Sequence, residues 1–243
     1  MTPAVPPTLK RIHAKRLREV YRSAGWPYLD VVEVELLAAG LLERVPNPAG
    51  LECVRVTDAG IQFLAEAAQG NRKAFSAHEA LVDQVVQAML RDGRLVWKGL
   101  SLRAMLPPAE DNPAKVRWKM CNPDVFSIRN SSRQDYLEPI VHEIKVSRAD
   151  LLGDLKQADK RAAYLGIGGQ CWYVLGCNAK GKAIGEPEEI PLECGVMLYA
   201  NGKLEVLRMA PRREATGLSF SVWMALAKAT PVVIDQDAQM PVG

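Results

Sequence analysis

Asp124, Glu143 and Lys145 are the residues of this 243-residue chain whose types and spacing could do chemistry. An Asp, a Glu and a Lys placed this way can hold a divalent metal against a phosphodiester and supply a polarised water. Glu143-Ile144-Lys145 closes a hydrophobic stretch running from Leu137 to Ser147. In a strand, successive side chains alternate faces, so Ile140, His142, Ile144 and Val146 point one way. Glu143 and Lys145 then stand together on the other face. Asp124 opens the preceding extended segment, Asp124 to Ile128. If that segment and the next pair as a hairpin through the polar loop Arg129 to Asp135, the Asp124 carboxylate comes near Glu143.

The tripeptide Glu-x-Lys is expected about once by chance in a chain of this composition, so alone it signals nothing. Pro123-Asp124 one strand earlier, hydrophobic residues on both strands and a helix starting at Arg148 give it context. The plain alternative is a surface hairpin with a Glu–Lys pair on its solvated face. With that context, the residues resemble the PD-(D/E)xK nuclease superfamily from about Ala77 to Arg213, most closely between Asn122 and Leu175. The chain is also similar to the MmcB-like, DNA-repair-associated branch, through the basic helix after the Lys strand and the later strands Cys171–Leu175 and Gly195–Leu198. The resemblance implies a restriction-endonuclease-like α/β fold, a mixed central sheet flanked by helices. It implies that Asp124, Glu143 and the Ile144 backbone carbonyl hold magnesium or manganese, with Glu79 as an outer ligand from an upstream helix. Lys145 would orient or deprotonate the water. Glu79 also reads as an acid favoured by a helix N-terminus.

The remaining histidines add little. His142 falls on the strand face opposite Glu143 and reads as a core residue, whereas His78 precedes Glu79 and could reach the site. The helix expected from Arg148 to Leu165 has an apolar face through Leu151, Leu155, Ala158, Ala162 and Leu165. Lys156, Lys160 and Arg161 lie on its other sides and are candidates for contacts with a DNA strand; a plain solvated face is the alternative. Some nucleases of the superfamily carry Gln-x-x-x-Tyr on the equivalent helix; Gln157 and Tyr164 are too far apart to match it.

Hydrophobic residues make up 48% and charged residues 24% of the chain, an ordinary globular composition. No stretch approaches the length of a membrane span and no signal peptide opens the chain, so a cytoplasmic protein is expected. The 5 cysteines are scattered without a Cys-x-x-Cys pair, which supports neither zinc ligation nor a disulfide framework. No Gly-rich loop with Lys-Ser/Thr is present to bind a nucleotide. The net charge of +3 says less about a nucleic-acid partner than the clustering of bases between Lys10 and Arg22.

Residues 1–74 read as a separate small domain. A basic helix spans Thr8 to Ala24, a second covers Leu29 to Leu42, a ribbon turns at Pro46–Gly50, and Thr57 or Asp58 caps a third helix to about Ala68. This order resembles winged helix-turn-helix domains. Asp30, Glu33 and Glu35 would make the second helix acidic outside, so Lys10, Lys15 and Arg18 on the first are the better phosphate contacts. A protein partner docked through this domain is an equal expectation. Gln69–Lys73 reads as a linker, residues 75–215 as the nuclease-like domain, and 216–243 as a C-terminal helix with a flexible tail.

The sequence therefore points to a metal-dependent DNA endonuclease, acting in repair or on foreign or mobile DNA. A homodimer would supply two sites for duplex cutting. The alternatives are a catalytically inactive DNA-binding or adaptor protein on the same fold, and a winged-helix transcription regulator.

Overall fold

The structure, a computed structural model, describes residues 9–23, 25–108, 116–213 and 217–233. The tail expected at the C-terminus falls largely outside the described residues. The chain divides into two compact units, Met1–Phe75 and Ser76–Gly243.

In the first unit, helices α1 (Arg11–Tyr21) and α2 (Val31–Ala38) precede an antiparallel ribbon of β1 (Leu42–Pro46) and β2 (Glu52–Val56). Leu17, Val20, Leu36, Leu42, Val54 and Val56 form its core. Thr57 caps the following helix by accepting the Gly60 amide at 3.1 Å. That helix, α3, runs unbroken from Asp58 to Arg91, which corrects the linker expected at Gln69–Lys73. A polar stretch without proline removes no main-chain donor, and a lone glycine costs a helix only about 1 kcal/mol.

The acidic face expected on α2 is also corrected. Glu33 is buried, accepting the amides of Tyr28 and Leu29, with Arg44 at 3.4 Å. Asp30 caps α2 and pairs with Arg16 at 2.8 Å, while Glu35 meets the buried His13 at 2.7 Å. Only Glu33 is withdrawn from the surface; Asp30 and Glu35 keep part of their side chains exposed while making these pairs.

The second unit is built on a mixed six-stranded sheet. Its strands are β3 (Arg94–Lys98), β6 (Val125–Arg129), β7 (Ile140–Lys145), β8 (Gln170–Leu175), β9 (Gly195–Ala200) and β10 (Lys203–Arg208). Their order across the sheet is β10-β9-β8-β7-β6-β3. β6 and β7 form the antiparallel hairpin the sequence suggested, whereas β7-β8 and β8-β9 are parallel. A second ribbon, β4 (Leu102–Leu106) with β5 (Arg117–Cys121), stands outside this sheet.

Alternation gives the sheet two apolar faces. Val96, Val125, Ile144 and Val174 pack against Leu81, Val82, Val85, Val86 and Met89 of α3. On the other face, Phe126, Val141, Tyr173 and Leu175 join α4 (Arg148–Leu155), α5 (Ala158–Ile167), the inner side of the β4–β5 ribbon and α6 (Phe220–Lys228). The helix expected over Arg148–Leu165 is thus two helices, broken where Gln157 leaves helical geometry at ψ 70°. Asn201 and Gly202 both have positive φ, as the type I′ turn between β9 and β10 demands. At the far edge of the sheet, the Val232 amide donates to the Val96 carbonyl of β3 at 2.8 Å.

Candidate active site

Register brings the three sequence-selected residues together. Val125 pairs with His142, so one step further Asp124 faces Glu143 across the end of the hairpin. Another step sets Pro123 opposite Ile144. Proline has no N–H, so it cannot donate to the Ile144 carbonyl, and the ladder ends there. The Asp124 carboxylate takes over, accepting the Ile144 amide at 2.7 Å. A strand residue's N–H and C=O point to the same side, so the Ile144 carbonyl faces the Asp124 side as well. The Pro-Asp dipeptide therefore both frees a main-chain oxygen and puts a carboxylate beside it.

Glu143 and Lys145 share the face turned to α4 and α5, and both are buried. Lys145 Nζ lies 2.7 Å from Glu143 Oε1, 3.3 Å from Asp150 and 3.5 Å from Asp154. Lys160 Nζ reaches the same Glu143 Oε1 at 2.6 Å and Asp154 at 2.5 Å. Tyr173 donates to the other Asp154 oxygen at 2.7 Å. Tyr164 donates to the Asn122 carbonyl at 3.0 Å, just before Pro123. Glu143 Oε2, by contrast, is buried without a hydrogen-bond partner.

The electrostatics follow from this crowding. Burial, and then the Glu143 charge, push Asp124 above the usual carboxylate range, and the Ile144 amide and His78 only partly offset them. Burial works against the Lys145 ammonium, yet the charges of Glu143, Asp154 and Asp150 outweigh it and hold Lys145 above an ordinary lysine. Lys160 is raised by the same balance, with Glu143 its main support. Asp154 is lowered despite burial, by the Lys160 hydrogen bond and the Lys145 charge. Lys145 thus acts as a fixed cation and donor.

The other expected residues divide. Glu79 is half-exposed and touches His78, whose second nitrogen lies 3.4 Å from Asp124 Oδ1. Glu79 therefore meets Asp124 only through His78. His142 is fully buried on the opposite face, as expected, and neither ring nitrogen has a partner. Lys160, expected as a strand contact, reaches into the carboxylate cluster and stays partly exposed. Arg161 pairs with Glu193 at 3.2 Å and donates to the Leu155 carbonyl. Lys156, Lys10 and Lys15 are exposed, and Arg18 is half-buried. The sequence reading missed Asp154 and Tyr173. Asp154 had a signal: it lies three residues after Leu151, on the stripe that α4 buries.

No family model matches the chain, and no curated protein matches it. Among solved structures, a protein of unknown function from Silicibacter pomeroyi is similar at 22% identity and a TM-score of 0.33. The match covers 53% of this chain and 68% of that one, and a likeness of this size decides neither fold nor chemistry. Among the described residues no helix is long and apolar enough to cross a membrane. No group of three or more His, Cys, Asp or Glu side chains among them is arranged to hold a metal ion. What the hairpin end offers instead is two carboxylates and a main-chain oxygen.

Proposed function

We propose that the second unit is a metal-dependent endonuclease of PD-(D/E)xK type that hydrolyses phosphodiester bonds in DNA, in repair or in handling foreign or mobile DNA. One observation carries the reading: the unpartnered, buried Glu143 Oε2 beside an Asp124 whose charge Glu143 opposes. An isolated buried carboxylate oxygen is costly, and a second carboxylate whose charge opposes it favours a cation between them. Magnesium or manganese suits an all-oxygen set made of Asp124, Glu143 and the Ile144 carbonyl. Bound there, it would stabilise developing phosphate charge and acidify a water. Lys145, held protonated, would hydrogen-bond that water and offset charge on the phosphate. His78 would keep Asp124 oriented, with Glu79 behind it. In the first unit, which we read as a winged-helix domain, Lys10, Lys15 and Arg18 on α1 would add contacts with DNA phosphates.

Supercoiled plasmid incubated with the purified protein and magnesium or manganese should be nicked. Asp124→Asn and Lys145→Met should each reduce the rate by at least about a hundredfold, the scale at which removing one stabilising group acts. Cutting that persists in both variants would refute the assignment. The second reading is a non-catalytic DNA-binding adaptor, and the contact of both Lys145 and Lys160 with Glu143 Oε1 favours it, because two ammonium groups already offset the charge a metal would meet there. Calorimetric titration with magnesium separates the two: no binding at millimolar metal would support the adaptor.

A further inference from the structure

Two ammonium groups share one oxygen of Glu143, and they are held unequally. Lys145 Nζ lies against Glu143, Asp150 and Asp154, and its side chain is 6% exposed. Lys160 Nζ meets Glu143 Oε1 and Asp154 Oδ1, and its side chain is 21% exposed. It reaches in from the first turn of α5, just past the break from α4, with the Tyr164 ring centroid 5.4 Å away. Asp154 has other partners, because Tyr173 donates to its second oxygen and Lys145 stands 3.5 Å from its first. When ionised, the carboxylates of Asp124, Glu143, Asp150 and Asp154 outnumber these two lysines by two charges. Glu79 stands apart, meeting the cluster only through His78. The imbalance equals the charge of one divalent cation, and it falls where Glu143 Oε2 is buried without a partner.

From this arrangement we infer that Lys160 is the exchangeable cation of the site: in the metal-free protein it supplies positive charge that a divalent metal replaces, and it thereby holds metal affinity low. Lys145 is unsuited to that part, enclosed as it is by three carboxylates. A lysine ammonium is a compact charge on a flexible stem, and one that is already part-exposed can withdraw to water while its helix stays in place. Until it does, it repels a second cation a few ångströms away, and in a part-buried site that repulsion exceeds its value in water. Lys160 is thus a positioning residue that acts through Glu143. The inference deepens the endonuclease reading and rests on its Asp124–Glu143 metal site, to which it adds a means of regulation: the metal enters against an internal competitor.

The test is a titration of the full chain with manganese, followed by calorimetry and by loss of the free-ion signal in electron paramagnetic resonance. Lys160→Met and Lys160→Gln, which remove the charge, should each bind manganese at least about tenfold more tightly than the wild type. Lys160→Arg keeps the charge and should bind like the wild type. Saturating manganese should also raise the urea midpoint of Lys160→Met further than that of the wild type, so a variant that starts out less stable still reports. Affinity unchanged or weakened in both neutral variants would overturn the inference and leave the metal site standing. So would Lys160→Arg binding as tightly as Lys160→Met, the mark of a packing effect. Binding by the two neutral variants where the wild type binds none would uphold the inference and turn the wild type into the adaptor of the second reading. No binding by any of the four proteins at millimolar manganese would remove both the inference and the endonuclease.

Discussion

Replacing His142 by Leu should leave the fold intact and flatten its response to acid. Burial, aided by the Arg94 charge, pushes this imidazole down to about 3 from 6.5. Between those values the unfolded chain binds a proton that the folded one cannot, so His142 removes stability as pH falls through that window. Its unpartnered ring nitrogens add a cost of about 1–3 kcal/mol even when neutral. His142→Leu should therefore match or exceed the wild type in urea midpoint at neutral pH. The gap should widen by pH 5; a constant gap would show that the histidine is not the sensor. Lys160→Met should act in the opposite direction, costing about 3 kcal/mol. That is the low end for breaking a buried pair, because the lysine side chain remains 21% exposed. Both lysines are raised above 10.5, so their contribution is complete below that pH and is lost as pH rises through the higher folded value. Wild type and Lys160→Met should converge in alkaline urea melts. At this scale Asp124, Glu143 and Lys145 were legible because strand alternation assigns a face without any coordinates. Lys160 was not, since a helical stripe identifies a side but not the element it meets.

Elements were legible where pattern and burial agree. β6 and β7 are short, largely apolar runs buried on both faces, and Asn201-Gly202 announces the hairpin of β9 and β10. β4 went unread because its outward positions include Met105, which blurs the contrast between faces that alternation relies on. The break between α4 and α5 was hidden as well: Lys156-Gln157 contains neither proline nor glycine, and the apolar period passes through it. That break matters, since Asp154 in the last turn of one helix and Lys160 in the first turn of the next meet across it, and Lys160 also reaches Glu143. Glycine has a distinct role on β9. A Cβ at Gly195 would stand 2.4 Å from the Trp172 ring and 2.7 Å from the Ala210 amide nitrogen, too close to the main chain for rotamer adjustment to relieve. Gly195→Ala should destabilise the protein by about 1–3 kcal/mol, the usual range for overpacking, as measured by thermal or urea melts. An unchanged midpoint would mean that the Ala210 segment yields without cost.

For the whole molecule, the two units have separate cores. One draws on residues between Leu9 and Leu64, and the other two on residues from Leu81 onward. A fragment of residues 76–243 should consequently fold alone and melt in one cooperative transition by circular dichroism, and a broad, non-cooperative melt would contradict this. The division into a small N-terminal and a larger C-terminal part was readable from the change of pattern near Gln69, although the helix itself does not stop there. One sheet edge has a further consequence. The Val232 amide occupies the carbonyl of Val96, so a short stretch after α6 shields β3 from pairing with a foreign strand. Trimming the chain before that residue would bare a hydrophobic border and invite end-to-end polymerisation, a hazard to solubility with no bearing on the carboxylates.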